Sequence, residues 1–283
     1  MFLSRLAFIA LVGLAPPVVA ETAVDQTQNE ASVDRLGEVM QLDALFSVLR
    51  EEGLSYGDTL EADMFPSGGG AEWRQAVSDI YDVARLRGKF DAALKGALGD
   101  DPAVLTEIEA FFASDLGQRI VGLEIEARRA FLDSKAEEAA QVAADDAAAA
   151  RDPKVGLIRR MIEAADLLEM NVAGSMSGNL GFMTGMAGTG AYGRDMPQDQ
   201  IVSDIWAQED QVRADTSTWL HAYLGLAYTP LSEAELETYV AFWESPAGKL
   251  LNAALFTAFD AAFRPVSFEL GQAAGRAMQG RDI

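Results

Sequence analysis

Residues 231–256 read LSEAELETYVAFWESPAGKLLNAALF, and this stretch decides the fold because it can be laid on an earlier part of the same chain. A shift of 131 residues, which carries Ser114 onto Ser245, sets Ala110-Phe111-Phe112-Ala113-Ser114-Asp115-Leu116-Gly117 against Ala241-Phe242-Trp243-Glu244-Ser245-Pro246-Ala247-Gly248. The same shift pairs Asp101 with Ser232, Ala103 with Ala234 and Leu105 with Leu236. Caps and core positions therefore repeat together. Asp101 stands before Pro102, an N-cap followed by the residue suited to the first helical position, and Ser232 with Glu235 has capping-box spacing. Ser114 and Ser245 read as second N-caps, with Asp115 and Pro246 opening the next helix. Each copy is expected to be a short helix, a corner and a longer helix.

Outward from the corners almost everything obeys helical spacing. The helix after the first corner carries Ile120, Leu123, Ala127, Ala130 and Phe131, then fades into AEEAAQVAADDAAAARD (136–152), which has strong helix formers but no large apolar face. The helix after the second carries Leu251, Leu255, Phe259 and Phe263 and continues past Pro265. Nearer the amino terminus, Leu36, Val39, Met40, Phe46 and Leu49 form one stripe and Trp73, Val77, Ile80, Ala84, Leu94 and Leu98 another, with Pro66-Ser67-Gly68-Gly69-Gly70 as a loop between them. Asp152-Pro153 opens a helix with Leu157, Met161, Ala164, Leu168 and Val172. A further helix starts near Pro197, carries Ile201, Ile205, Val212, Trp219, Tyr223 and Ala227, and ends at Thr229-Pro230. No alternating apolar and polar run bounded by turns is present. The expected class is all-α: a multi-helix protein of two tandem helical repeats packed together, residues 33–150 and 151–283.

Residues 171–193, NVAGSMSGNLGFMTGMAGTGAYG, stand apart. Gly174, Gly178, Gly181, Gly185 and Gly188 recur at spacings of four, three, four and three, which places them on one helical stripe. A small-residue face would let another helix or a second subunit approach closely. A flexible loop is the other reading, since each helical glycine costs about 1 kcal/mol. Membrane insertion does not fit, because glycine, serine, asparagine and threonine dominate the segment.

The first twenty residues, MFLSRLAFIALVGLAPPVVA, have the pattern of a signal peptide: Arg5, an apolar run from Leu6 to Ala15, then Val18 and Ala20 before the cut. Cleavage is expected between Ala20 and Glu21, leaving a polar leader at 21–32. A retained anchor would need roughly 20 apolar residues, and Pro16-Pro17 interrupts this run early. With no cysteine there is no lipidated anchor, disulfide or thiolate site. The expected location is the periplasm, with no stable membrane insertion after cleavage. Hydrophobic content of 49% suits a folded globule. Net charge is −22, and −23 once Arg5 leaves with the leader. Such a field repels phosphate backbones and argues against nucleic acid as a partner, while also keeping an exported protein soluble.

Chemistry is sparse. His221 is the sole histidine and lies between Trp219 and Tyr223, so it reads as a partly buried, satisfied side chain rather than a base. The carboxylate clusters are Glu124 with Glu126, Asp145 with Asp146, and Glu163, Asp166 and Glu169 beside Arg159 and Arg160. The last of these has the look of a solvated helix face. No phosphate loop, dinucleotide fingerprint, EF-hand loop or nucleophile elbow is present. No catalytic residue, metal ligand or cofactor is assigned.

The fragment 231–256 resembles the domain-of-unknown-function family numbered 2059. The features that carry the likeness are the acidic helix start at Glu233 to Glu237, the aromatic pair Phe242-Trp243, the Ser245-Pro246 corner and Gly248. Phe111, Phe112, Ser114 and Gly117 resemble it more weakly, because Asp115 replaces the proline. The resemblance implies an exported helical protein and brings no catalytic residues. The expected role is a non-catalytic binding module for a protein or an apolar ligand, in a groove that Met176, Met183 and aromatic residues would line. The alternatives are a carboxylate-dependent envelope enzyme such as a hydrolase, marked by two converging carboxylates, and a homodimer packed through the glycine stripe.

Overall fold

The computed structural model describes residues 34–65, 69–99, 101–192 and 197–280; the expected cleavage site at Ala20–Glu21 and the leader 21–32 lie outside the described residues. Among the described residues the regular elements are all helical. A short helical stretch at 34–39 leads into α1 (Leu42–Met64), α2 (Gly70–Ile80), α3 (Val83–Leu98), α4 (Pro102–Ala113), α5 (Asp115–Ala130) and α6 (Ser134–Ala150). Then follow α7 (Pro153–Ala164), α8 (Leu167–Gly188), α9 (Gln198–Trp206), α10 (Glu209–Tyr228), α11 (Glu233–Glu244) and α12 (Pro246–Met278).

Side-chain caps set most of these boundaries. Asp82, Asp101, Asp133 and Asp152 each accept a backbone N–H of the turn that follows, and Ser232 with Glu235 forms the full capping box. Two expected helices prove to be broken. The stripe from Leu157 to Val172 is cut where Asp166 turns left-handed, at φ 48°, a conformation aspartate tolerates better than most residues. The stripe from Ile201 to Ala227 is cut at Ala207–Gln208, so α9 and α10 are separate helices. Apolar periodicity survives both breaks because it records which face is buried and not the direction of the axis.

The glycine-rich segment is a helix, α8, and it packs along α12 more extensively than any other pair in the molecule. A Cβ at Gly185 would strike the Phe268 carbonyl, one at Gly271 the Phe182 carbonyl, and one at Gly181 would come within 3.4 Å of Ser267 Cβ. The two backbones nearly touch, which repays the low helix propensity of glycine. The neighbour that the stripe admits is thus the chain's own last helix. Gly178, Gly181 and Gly185 face the last helix of the same chain, Gly185 and Gly174 being buried and Gly178 and Gly181 half-buried, while Gly188 is exposed beyond the contact.

One apolar core draws on both segments, from Leu36 to Ala277. Helix α12 is its axis, touching α1, α2, α3, α4, α8 and α11, while α10 gathers α5, α6, α7 and α8. Phe46, Phe90 and Phe259 meet at centroid separations of 5.2 Å (Phe46–Phe90) and 4.8 Å (Phe90–Phe259). Each such ring removed from water contributes about 1.5–3 kcal/mol. Helix α6, which has little apolar surface, lies against α10 through Ala140 and Ala144.

Candidate functional site

The two corners place the site. Ser114 has φ −68° and ψ 157°, and Ser245 has φ −70° and ψ 159°. Each hydroxyl accepts the N–H three residues on, from Gly117 and from Gly248, both at 3.0 Å. Each serine N–H donates back to an aromatic carbonyl, Phe111 at 3.2 Å and Phe242 at 3.0 Å. A Cβ on Gly117 would collide with the Phe111 carbonyl, and one on Gly248 with that of Phe242. The glycines are required by close approach of the corner backbone, not by an unusual φ. Phe111 stacks on Phe242 at 4.2 Å, and Phe112 meets the Trp243 ring edge-on at 6.5 Å. Residues related by the 131-residue shift therefore touch each other.

Behind this aromatic contact lies a cavity of about 190 Å³. Its wall uses matching positions of the two copies: Phe112 and Trp243, Val121 and Asn252, Glu124 and Leu255, Arg128 and Phe259. Helices α1, α7, α8 and α10 close it with mostly apolar side chains, Leu45, Met161 and Trp219 among them.

The cavity has one polar pole. Tyr228 and Tyr239 both donate their hydroxyls to Oε1 of Glu124, at 2.6 and 2.9 Å, and Tyr223 donates to the Glu124 carbonyl at 3.0 Å. Burial pushes the Glu124 carboxyl above the ordinary carboxylate range, against the pull of the two tyrosine bonds. Burial, and then the neighbouring Glu124, carries both tyrosines well above the usual phenol range. Arg128, one turn along α5, is paired with Glu52 instead: its Nη2 donates to Glu52 Oε2 at 3.0 Å and its Nε lies 2.7 Å from Oε1 in an ion pair, with Trp219 under its guanidinium. Burial, the largest single influence, would lower Arg128, but the Glu52 charge, the neighbouring Tyr223 and the hydrogen bond to Glu52 together outweigh it and raise the guanidinium.

The structure separates most of the carboxylates that sequence spacing brings together. Glu126 is exposed on the far face of α5 from Glu124, and Asp145 and Asp146 are exposed on α6. Glu163, Asp166 and Glu169 are also exposed, and a hydrogen bond from the Arg213 guanidinium holds Glu169 below its ordinary range. Glu124 is the one carboxylate among the described residues lining the cavity. His221 bonds the Ser217 carbonyl at 2.8 Å, one turn back on its own helix. Met176 and Met183 do not line the cavity; Met40 and Met161 do. Their helix turns its glycine face to α12, and Met183 lies instead 3.2 Å from the Tyr192 hydroxyl. Among the described residues no three His, Asp or Glu side chains are grouped so as to hold a metal ion. Nor is any described helix long and apolar enough to cross a membrane.

Sequence reasoning passed over Tyr228, Tyr239, Glu52 and Arg128. A signal was present for Arg128: Val121, Glu124 and Arg128 follow helical spacing on the face that also carries Ile120 and Ile125, so two charges sit on an inward-facing stripe.

Residues 86–146 match the family model DUF2059, described as an uncharacterized protein conserved in bacteria. The match spans Ser114, Glu124 and Arg128. No curated protein and no solved structure matches the chain.

Proposed function

We propose that the chain is exported to the periplasm and serves there as a non-catalytic binding module whose cavity takes one small, largely apolar molecule. The cavity itself is the observation that supports this. Native cores hold few voids larger than a water molecule, and an unfilled void forfeits dispersion contacts along its whole wall. A cavity of about 150 Å³ suffices for benzene, and this one is larger. A mostly apolar wall with a few converging polar groups is the usual composition of a ligand site.

Thermal unfolding in the presence of toluene tests the reading. A ligand that binds only the folded state raises the melting temperature in step with its concentration, and Trp219 and Trp243 in the wall report occupancy by fluorescence. Leu255→Phe, which fills the cavity, is expected to abolish both signals; a melting temperature indifferent to toluene would sink the proposal. Export is tested separately, by sequencing the amino terminus of protein recovered from the periplasm, where Glu21 is the expected first residue.

A further inference from the structure

We infer that the occupant is an amine, a small apolar molecule whose single protonated amino group rests on the free carboxylate oxygen of Glu124. This rests on the cavity being a ligand site and adds the chemistry of what fills it. Both tyrosine hydroxyls converge on Oε1 of Glu124, and Oε2 has no hydrogen-bond partner among the described residues, although its side chain lines the cavity. A carboxylate in an apolar wall calls for a counter-charge, because burying an ion without a partner is costly. Among the described residues none is supplied: Arg128 is engaged by Glu52, and no lysine, arginine or histidine among them forms an ion pair with Glu124.

With Arg128 committed to Glu52, the Glu124 carboxylate in the cavity wall is left one positive charge short. An ammonium group supplies that charge together with donors for Oε2, in a cavity whose wall also carries the rings of Tyr239 and Trp243. An alcohol would leave the charge unbalanced, and a carboxylate ligand would meet Glu124 with like charge. The volume suits a body of one ring, which makes benzylamine a fitting probe.

The experiment titrates the full chain with benzylamine, benzyl alcohol, toluene and benzoate at pH 8 by calorimetry, in about 0.3 M salt so that attraction to the acidic surface is screened. Benzylamine is expected to bind about tenfold or more tighter than the alcohol or toluene, as a charge-assisted bond allows, and benzoate not at all. Glu124→Gln should reduce benzylamine to the level of the alcohol and leave toluene unchanged; Leu255→Phe should remove all binding. Toluene or the alcohol binding as tightly as benzylamine overturns the amine and leaves the cavity as a ligand site. So does a benzylamine preference that survives Glu124→Gln or Leu255→Phe. Failure of all four probes to bind overturns the cavity reading as well. The comparison of four probes on the unaltered protein decides the matter even if a variant does not fold.

Discussion

Ser114 and Ser245 hold the same backbone torsions to within a few degrees, cap the same position three residues on and forbid a side chain at the same glycine. Yet the helices that leave them present Glu124 and Arg128 to the cavity from α5, and Leu255 and Phe259 at the matching positions of α12. The corner is fixed by local geometry, since the serine hydroxyl, the aromatic carbonyl and the glycine must all meet within a few ångströms. The cavity-facing positions answer only to the space between the copies, and there a charge on one side is accommodated by apolar side chains on the other. At these two positions α5 supplies the charged side chains and α12 the apolar ones.

If the corners are equivalent, the most damaging changes should damage both alike. Gly117→Ala and Gly248→Ala each place a Cβ against main-chain atoms of the corner, which cannot rotate away as a side chain could. Each is expected to cost about 2–3 kcal/mol by overpacking, read as the change in urea midpoint at constant slope. Costs differing by more than about 1.5 kcal/mol would show that one corner carries more of the fold than the other. Ser114→Ala and Ser245→Ala remove only the cap, and about 1 kcal/mol each is expected from the same measurement.

Much of this was legible in the chain. The caps at Asp101, Ser114, Ser232 and Ser245 act on neighbours two or three residues away, so they can be read without knowing the fold. The glycine register of α8 was legible as a packing face, but not its partner: that Gly185 meets Phe268 depends on α12 folding back across the molecule, over more than eighty residues of chain. The site was less legible for the same reason. Glu124 stands beside Glu126 in sequence as an unremarkable acidic pair, and only the fold turns one inward and delivers Tyr228 and Tyr239 to it from about a hundred residues away. The helix breaks at Asp166 and Gln208 were hidden because the apolar stripe runs through them.

The charge at the pole can be tested apart from any ligand. Burial raises the Glu124 carboxyl in the folded state, so the folded protein holds that proton to a higher pH than the unfolded chain does. The resulting stability is complete below the unfolded-state value and is lost as pH rises through the raised one. Glu124→Gln retains an acceptor for both tyrosines and carries no charge. It is therefore expected to melt above the native protein at pH 8, with the advantage vanishing at pH 4, below the ordinary carboxylate value of 4.5. The matching change on the other copy, Leu255→Gln, has no such pH-dependent component. A Glu124→Gln variant that melts lower at pH 8 would mean that the ionised carboxylate is stabilising where it lies.

The smallest effect probes one of the places where the corners differ in sequence, Asp115 against Pro246. Asp115 is exposed at the first position of its helix, and Ser114 before it is already extended at ψ 157°, the conformation a following proline requires. Asp115→Pro should gain about 0.4–1 kcal/mol by restricting the unfolded chain. It gives up the attraction between a carboxylate and the helix amino terminus, worth about 0.3–1 kcal/mol. The two nearly cancel, so the variant should lie within about 0.5 kcal/mol of the native protein at low salt. Salt screens only the electrostatic part, so at about 1 M salt the variant should become the more stable of the two. Pro246→Asp should show the reverse preference. A loss of more than about 2 kcal/mol in Asp115→Pro would mean that a proline cannot be seated at the first corner, and that the likeness of the two ends at their torsion angles.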